Sequence, residues 1–157
     1  MTTSTTHGVV SVRGWSVTAV PEGRCVLRDE AGRVRASYPV VPGRPLAMGE
    51  VAVSLPQGEA VLFNGRPGAA RRSSHDGHVT LDGRRYTYRH RWWRRPLEVR
   101  RDGVLVAVLR APRGGVRVVH DAVADDTDRL AVALGEVAVR PGREGAISTL
   151  LDGLSGL

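Results

Sequence analysis

The chain has 157 residues, of which 41% are hydrophobic and 25% charged, a balance that supports one packed domain and argues against global disorder. Its one cysteine, Cys25, excludes an internal disulfide, and no apolar run approaches the roughly 20 residues that a helix needs to cross a bilayer. The formal net charge of +7 rests on arginine alone, because lysine is absent. A G+C-rich coding sequence explains that preference better than phosphate recognition does, so the placement of the arginines is the informative feature.

The N-terminal segment is rich in threonine and carries neither a basic stretch nor an apolar one. This composition argues against a secretory signal. It predicts a disordered tail over residues 1–7, followed by a single domain over residues 8–157. Together with the single cysteine, this composition predicts a cytoplasmic protein. Peripheral contact of that protein with a membrane is an additional hypothesis.

Short strand-like segments fill the first two-thirds of the domain, separated by Gly and Pro clusters. Asp82-Gly83 and Asp102-Gly103 are two-residue hairpin signals, because both positions of such a turn need positive φ, and Asn64-Gly65 is a third. This spacing predicts an antiparallel meander of about ten to twelve strands, and we expect it to close into a β-barrel. The predicted strands are 8–12, 15–20, 25–28, 33–36, 36–41, 50–55, 60–63, 78–81, 85–91, 97–101, 104–110 and 115–120.

The clearest hairpin joins residues 97–101 to residues 104–110. Residues 104–109 are apolar at every position, so both faces of this second arm are apolar. The pattern predicts a strand that is buried on both sides.

The pattern of residue types changes after Asp121. The acids Asp125, Asp126 and Asp128 with Thr127 offer an N-cap and an acidic first turn, which favour the start of a helix. From residue 130 to residue 139 only Glu136 is polar, so a helix near residues 126–139 is apolar nearly all round and belongs inside the protein. A buried strand is the alternative, since several of these residues are β-branched, but the capping residues favour the helix.

A short amphipathic tail follows Pro141-Gly142. Ile147, Leu150, Leu151 and Leu154 lie at helical spacing. They predict a second, short helix near residues 144–154, docked on the barrel.

A meander of short strands followed by one apolar helix resembles the tubby-like family in its small form, the LURP-one-related proteins of plants and bacteria. The resemblance is best over residues 81–139. Residues 81–86 (LDGRRY) and 91–96 (RWWRRP) are similar to that family's step between strands, and residues 125–134 (DDTDRLAVAL) are similar to the acidic entry and apolar body of its central helix. Residues 8–80 match in strand count only.

The resemblance implies a closed barrel of about twelve strands wrapped around the helix. It also implies a binding function, because tubby proteins bind phosphoinositides through basic residues on the barrel and scramblase relatives act at membranes. The small bacterial members have no settled activity. No motif anchors an individual lipid-binding residue in this chain.

One segment carries the whole net charge. Residues 71–101 hold ten arginines against Asp76, Asp82 and Glu98, which gives +7, whereas arginines and acids cancel in the rest of the chain. Two of the three tryptophans, Trp92 and Trp93, lie in the same segment. Concentrated positive charge interleaved with aromatic residues indicates contact with something anionic.

In a strand over residues 85–91, Arg85, Thr87, Arg89 and Arg91 share one face. Tyr86, Tyr88 and His90 share the other, and the simplest interpretation is that the tyrosines enter the core while the arginines face solvent. The candidate contact surface for an anionic ligand adds the following segment, and comprises Arg85, Arg89, Arg91, Trp93, Arg94 and Arg95, with Arg100 and Arg101 as further members.

No catalytic or metal site is predicted. His75, Asp76, His78 and His90 include metal-ligand types, but loop polarity explains them better. A single Cys25 and scattered histidines make no nucleophilic constellation, and no phosphate-binding glycine loop occurs. We therefore expect no cofactor and no enzymatic activity.

The sequence predicts a non-enzymatic binding or scaffold module. Its basic segment is expected to contact anionic lipid headgroups or an acidic protein partner. The alternative is a nucleic-acid-associated accessory protein, with phosphates on arginine and bases stacked on aromatic rings. That alternative is weaker, because no recognised nucleic-acid-binding motif occurs.

Overall fold

The computed structural model describes residues 7–9, 12, 14–40, 49–65, 76–91, 96–110 and 117–139. The strands are β1 (His7–Val9), β2 (Ser16–Val20), β3 (Arg24–Arg28), β4 (Val34–Pro39), β5 (Glu50–Leu55), β6 (Gly58–Asn64), β7 (Gly77–Leu81), β8 (Arg84–His90), β9 (Leu97–Arg101), β10 (Val104–Arg110) and β11 (Arg117–Asp121). One α-helix, α1 (Asp126–Leu134), continues into a π-helical turn at Gly135–Val139. The predicted tail helix at 144–154 and residues 1–6 of the predicted tail lie outside the described residues.

The strands form one antiparallel sheet in chain order from β1 to β11, which confirms the predicted meander and the mainly-β class. Each strand pairs with its neighbours in the chain. Among the residues described above, no backbone pairing joins β1 to β11, so strand pairing does not close the sheet into a barrel.

The two Asp-Gly hairpins are confirmed. Asp82 and Gly83 have φ of 50° and 73°, and Asp102 and Gly103 have 47° and 86°. Asn64-Gly65 is different, because β6 continues through Asn64, whose N–H donates to the Gly49 carbonyl. The prediction of a two-residue turn there was wrong. Asn64 is fully buried at the end of a paired strand, so the dipeptide ends a strand without reversing the chain.

The expectation for β10 was correct in part. Val106, Ala107 and Leu109 are buried, but Val104 is 61% exposed beside the hairpin turn. The pairing with β9 shifts between Leu105 and Ala107, which marks a β-bulge. The extra residue breaks the simple alternation of faces, so an apolar run here does not mean burial on both sides.

Alternate residues of the strands meet the helix in a single hydrophobic core. Its largest fully buried side chains include Trp15, Tyr38, Tyr86 and Tyr88. Every residue from Leu130 to Val139 is buried, which settles this segment as an internal helix and not a strand.

The sheet curves around this helix. In the first turn of α1, Asp126 lies 3.9 Å from Arg35 of β4, and Asp128 lies 2.8 Å from Arg101 of β9. Five strand spacings would separate β4 from β9 by roughly 24 Å in a flat sheet. Because both strands reach one helical turn, the sheet must bend strongly about the helix.

The helix begins where the sequence predicts. Asp125 is the N-cap, with extended backbone, and its side chain accepts the N–H of Asp128 at 3.0 Å. That hydrogen bond, together with the one from Arg84, holds the pKa of Asp125 below its ordinary value.

Candidate functional site

Strand β8 divides its side chains between core and surface as predicted. Tyr86 and Tyr88 are fully buried, while Arg85 and Arg89 are exposed on the outer face of the sheet. The Tyr88 hydroxyl donates to the Ala131 carbonyl at 2.7 Å, so this tyrosine ties the strand to the helix. The tyrosines are therefore unavailable to a ligand on the outer face, and the arginines are available.

Arg91 follows β8 and is also exposed, but it has an acidic partner. Its Nε donates to Oε1 of Glu98 at 2.6 Å, and its backbone N–H donates to the Pro96 carbonyl. The other three members of the predicted contact surface, Trp93, Arg94 and Arg95, lie outside the described residues. We define the basic face by its described members, which are Arg85, Arg89, Arg91 and Arg100.

Glu98 is the acid within the basic face. It is nearly buried and accepts hydrogen bonds from Arg91 and from Nε of Arg100, the latter at 3.0 Å. Burial raises the pKa of Glu98, but the two arginines outweigh that effect and hold the pKa below its usual value. Glu98 thus neutralises part of the basic face and fixes the direction of two of its arginines.

This arrangement predicts an acid-sensitive contribution to stability. A carboxyl whose pKa is lowered by folding stabilises the protein above its unfolded pKa, about 4.3 for Glu, and loses that effect as pH falls through the folded value. We expect Glu98→Gln to lower the free energy of unfolding at pH 7. The difference from the unmodified chain should shrink below about pH 4. Denaturant unfolding from pH 7 to pH 2 measures it, and a difference that does not vary with pH would contradict the ion-pair role.

A row of outward side chains crosses the sheet at the centre of β8. Thr87 pairs with His78 of β7 and with Arg100 of β9, and His78 pairs in turn with Phe63 of β6. The rings of Phe63 and His78 stack with centroids 5.1 Å apart and planes inclined by 21°. Register alone brings these residues together, because they come from four separate strands.

A groove of about 450 Å³ opens over this row. It is lined by Asp76, Gly77, His78, Thr87, Tyr88, Arg89, Arg100 and Gly103. Burial and the nearby charge of Arg85 lower the pKa of His78, so its imidazole favours the neutral form. The charged side chains among the groove's lining residues are Arg89, Arg100 and Asp76, so arginine is in excess over acid there.

Two arginines of the basic segment point elsewhere. Arg101 donates to both carboxylate oxygens of the buried Asp128, at 3.1 and 2.8 Å, and Arg84 donates to Asp125. The inclusion of Arg101 in the surface was wrong. Arg101 lies two and four residues after the buried Val99 and Leu97 of the same strand. Because side chains alternate between the two faces of a strand, this spacing in the sequence indicates that Arg101 lies on the inner face.

Residues of metal-ligand type do not assemble into a site in the part of the chain that the structure covers. Among those residues no group of three or more His, Cys, Asp or Glu is placed to hold a metal ion. His75 lies outside the described residues. Over the same ranges, no helix combines the length and the apolar character that crossing a bilayer requires.

Comparison with known proteins adds no assignment. No family model, no curated protein and no solved structure matches the chain significantly.

Proposed function

We propose that the protein is a non-enzymatic binding or scaffold module whose basic face contacts anionic lipid headgroups. The observation that carries this proposal is the exposure and the unneutralised charge of Arg85 and Arg89. Both are exposed on the outer face of one strand, and among the described residues neither side chain takes part in an ion pair. Their charges are therefore free to act on a partner.

The arginines of the basic face are spread along β8 and onto the adjacent strand β9. Arg85 and Arg89 lie four residues apart on β8, and Arg91 and Arg100 flank them. Each arginine near an anionic membrane surface contributes roughly 1 kcal/mol to binding, and the contribution is screened by salt. Residues 92–95, which add two tryptophans and two arginines, extend the same segment of the sequence. An acidic protein surface would meet the basic face in the same way.

The proposal includes the architecture that the resemblance implies. We infer a closed barrel around the helix and a distant relationship to the tubby-like proteins. The support is the curvature of the sheet around α1 and the burial of every residue from Leu130 to Val139. A cytoplasmic location, with reversible contact at a membrane surface, fits this reading.

A nucleic-acid partner is the second candidate, supported by the stacked Phe63–His78 pair beside the arginines. Bases stack on exposed rings in such interfaces. The burial of Tyr86 and Tyr88 removes two rings that this function could have used, so the lipid surface is preferred.

Vesicle binding tests the proposal. We expect the protein to co-sediment with vesicles that contain phosphatidylglycerol, not with neutral phosphatidylcholine vesicles, and to release them as salt rises. The double variant Arg85→Ser/Arg89→Ser should bind roughly 30-fold more weakly, since two charges near the surface, each contributing roughly 1 kcal/mol, are lost.

The matched control is Arg24→Ser/Arg28→Ser. These two arginines are also four residues apart on the outer face of one strand, β3, and the variant loses the same net charge. An equal loss of binding in both variants would contradict a localised site. Absence of binding at low salt would overturn the lipid proposal, and a gel shift with single-stranded DNA or RNA in its place would favour the nucleic-acid alternative.

A further inference from the structure

Thr87 lies at the centre of a group of potentially cationic side chains. His78 and Arg100 are its partners on the two adjacent strands, and Arg85 and Arg89 are two residues away on its own strand. Cross-strand partners have Cβ atoms about 5 Å apart, and alternate residues of a strand are spaced by roughly 6.7 Å. We call these five residues the Thr87 cluster. All of them project from the same face of the sheet, and the central side chain is the smallest.

The small central residue leaves space above it. His78, Thr87, Arg89 and Arg100 all line the groove of about 450 Å³, and Asp76 and Gly103 line it as well. Arg100 is held by Glu98 and by the Gly103 carbonyl, to which it donates at 3.0 Å. Its position is therefore set before any ligand arrives, which reduces the entropy lost on binding.

The charges in the cluster do not cancel. Glu98 is shared between Arg91 and Arg100, and Asp76, which accepts the backbone N–H of His90 at 2.8 Å, is a second acid at the groove. The four arginines of the basic face exceed these two acids. Arg85 and Arg89 make no ion pair with any described residue. A site with this balance favours an anion that carries more than one charge.

We propose that the Thr87 cluster binds a phosphate monoester group. This inference rests on the proposed function and narrows it from diffuse attraction to a defined chemical group. A monoester presents three unesterified oxygens and nearly two negative charges at pH 7, which match two arginine forks, a threonine hydroxyl and an imidazole. A diester has one charge and two free oxygens, so it leaves part of the cluster without a partner.

Binding of the phosphate monoester is expected to change the pKa of His78. The charged and titratable neighbours of His78 are Asp76, which directly precedes β7, Arg85 and Arg89 on β8 and Arg100 on β9, while Phe63 on β6 is uncharged. In the free protein, burial and Arg85 lower the pKa of His78. A dianion over Thr87 offsets the arginine charge, so ligand binding raises the pKa of His78.

Nuclear magnetic resonance on the full chain tests the site with defined probes. Glycerol 3-phosphate supplies a monoester and dimethyl phosphate a diester, both in solution without a lipid surface. We expect saturable shifts with the monoester, at least tenfold weaker binding of the diester, and a higher His78 pKa in the monoester complex, with His78→Gln assigning the resonance. Thr87→Val, which keeps the charge and the branched shape, should weaken monoester binding about tenfold through one lost hydrogen bond to a charged group.

Thr80→Val is the matched control, because Thr80 is an exposed threonine on the outer face of β7 and does not line the groove. It should bind the monoester as the unmodified chain does. Equal affinity for the two probes, or no effect of Thr87→Val, would overturn the monoester site.

Vesicle binding distinguishes failure of the monoester site from failure of the proposed function. Phosphatidic acid carries a monoester and phosphatidylglycerol a diester, and the two preparations are matched in surface potential. Preference for phosphatidic acid that Thr87→Val abolishes supports the site on a lipid. Equal binding to both preparations overturns the monoester site and leaves the proposed function standing. Glycerol 3-phosphate binding without any vesicle binding supports the site for a soluble ligand and overturns the lipid function.

Discussion

Replacing Asp128 with Ala is expected to lower the free energy of unfolding by about 3–5 kcal/mol, the usual cost of removing one partner of a buried ion pair. The Asp128 carboxylate is fully buried. It accepts hydrogen bonds from the Tyr86 hydroxyl at 2.6 Å, from Arg101 and from the Ala124 N–H at 3.0 Å. Its loss removes the acceptor of the Tyr86 hydroxyl proton and the carboxylate partner of Arg101 at the start of the buried helix. Urea unfolding, followed by circular dichroism, measures the change.

The controls for Asp128 separate burial from charge. Asp126→Ala removes an acid two residues earlier in the same helix, but its side chain is 53% exposed, so we expect a loss below about 1 kcal/mol. Asp128→Asn keeps the shape and is expected to fold if the Ala variant does not, with an intermediate loss. The double replacement Asp128→Leu/Arg101→Met removes both charges and should recover part of the stability. Equal effects of the Asp126 and Asp128 variants would contradict the anchoring role.

Replacing Gly135 with Ala is expected to destabilise the protein, although Ala is the better helix former by about 1 kcal/mol. A Cβ at residue 135 would lie 2.9 Å from Cε1 of Tyr88 and 3.3 Å from Cδ1 of Leu109. The Tyr88 ring is fully buried and is held by its hydrogen bond to the Ala131 carbonyl, so it has little freedom to move. Overpacking of this kind costs about 1–3 kcal/mol, and we expect the loss to exceed the gain in helix propensity.

Thermal unfolding of Gly135→Ala measures the sign of the change. Thr127→Ala in the first turn of the same helix is the control, because it changes propensity at a half-buried position without entering the Tyr88 contact. A variant more stable than the unmodified chain would show that the contact relaxes at little cost. If contact with the Tyr88 ring causes the loss of stability, Gly135→Ala should cost less in a chain that also carries Tyr88→Leu, because leucine is smaller than the ring.

Local chemistry accounts for the features that were predicted correctly. The Asp-Gly turns follow from the positive φ that both residues adopt, and the helix start follows from Asp125 as a capping acid. The inward tyrosines of β8 follow from simple alternation along an extended chain. Each of these features depends on residues that are close in sequence, so no knowledge of the fold was needed.

The failed predictions depend on backbone pairing, which residue types alone do not specify. Asn64-Gly65 has the composition of a turn, but pairing with Gly49 keeps it in the strand. The apolar arm of β10 contains a bulge, and Val104 is exposed as a result of its place beside a turn. At Asn64 a contact with a distant segment decides the conformation, whereas in β10 the bulge and the turn of its own hairpin decide which apolar residues are buried.

The sequence by itself determined that the charge is concentrated in residues 71–101, that the chain is a β-meander, and that one apolar helix must be internal. Only the tertiary structure decided how the arginines of that segment divide. Arg84 and Arg101 turn to the acids of the helix start, whereas Arg85, Arg89 and Arg100 surround Thr87 on the outer face. The physical reason is register, because the pairing of β7, β8 and β9 fixes which side chains become neighbours. Composition shows how much charge a segment carries, and strand pairing determines where that charge is free to act.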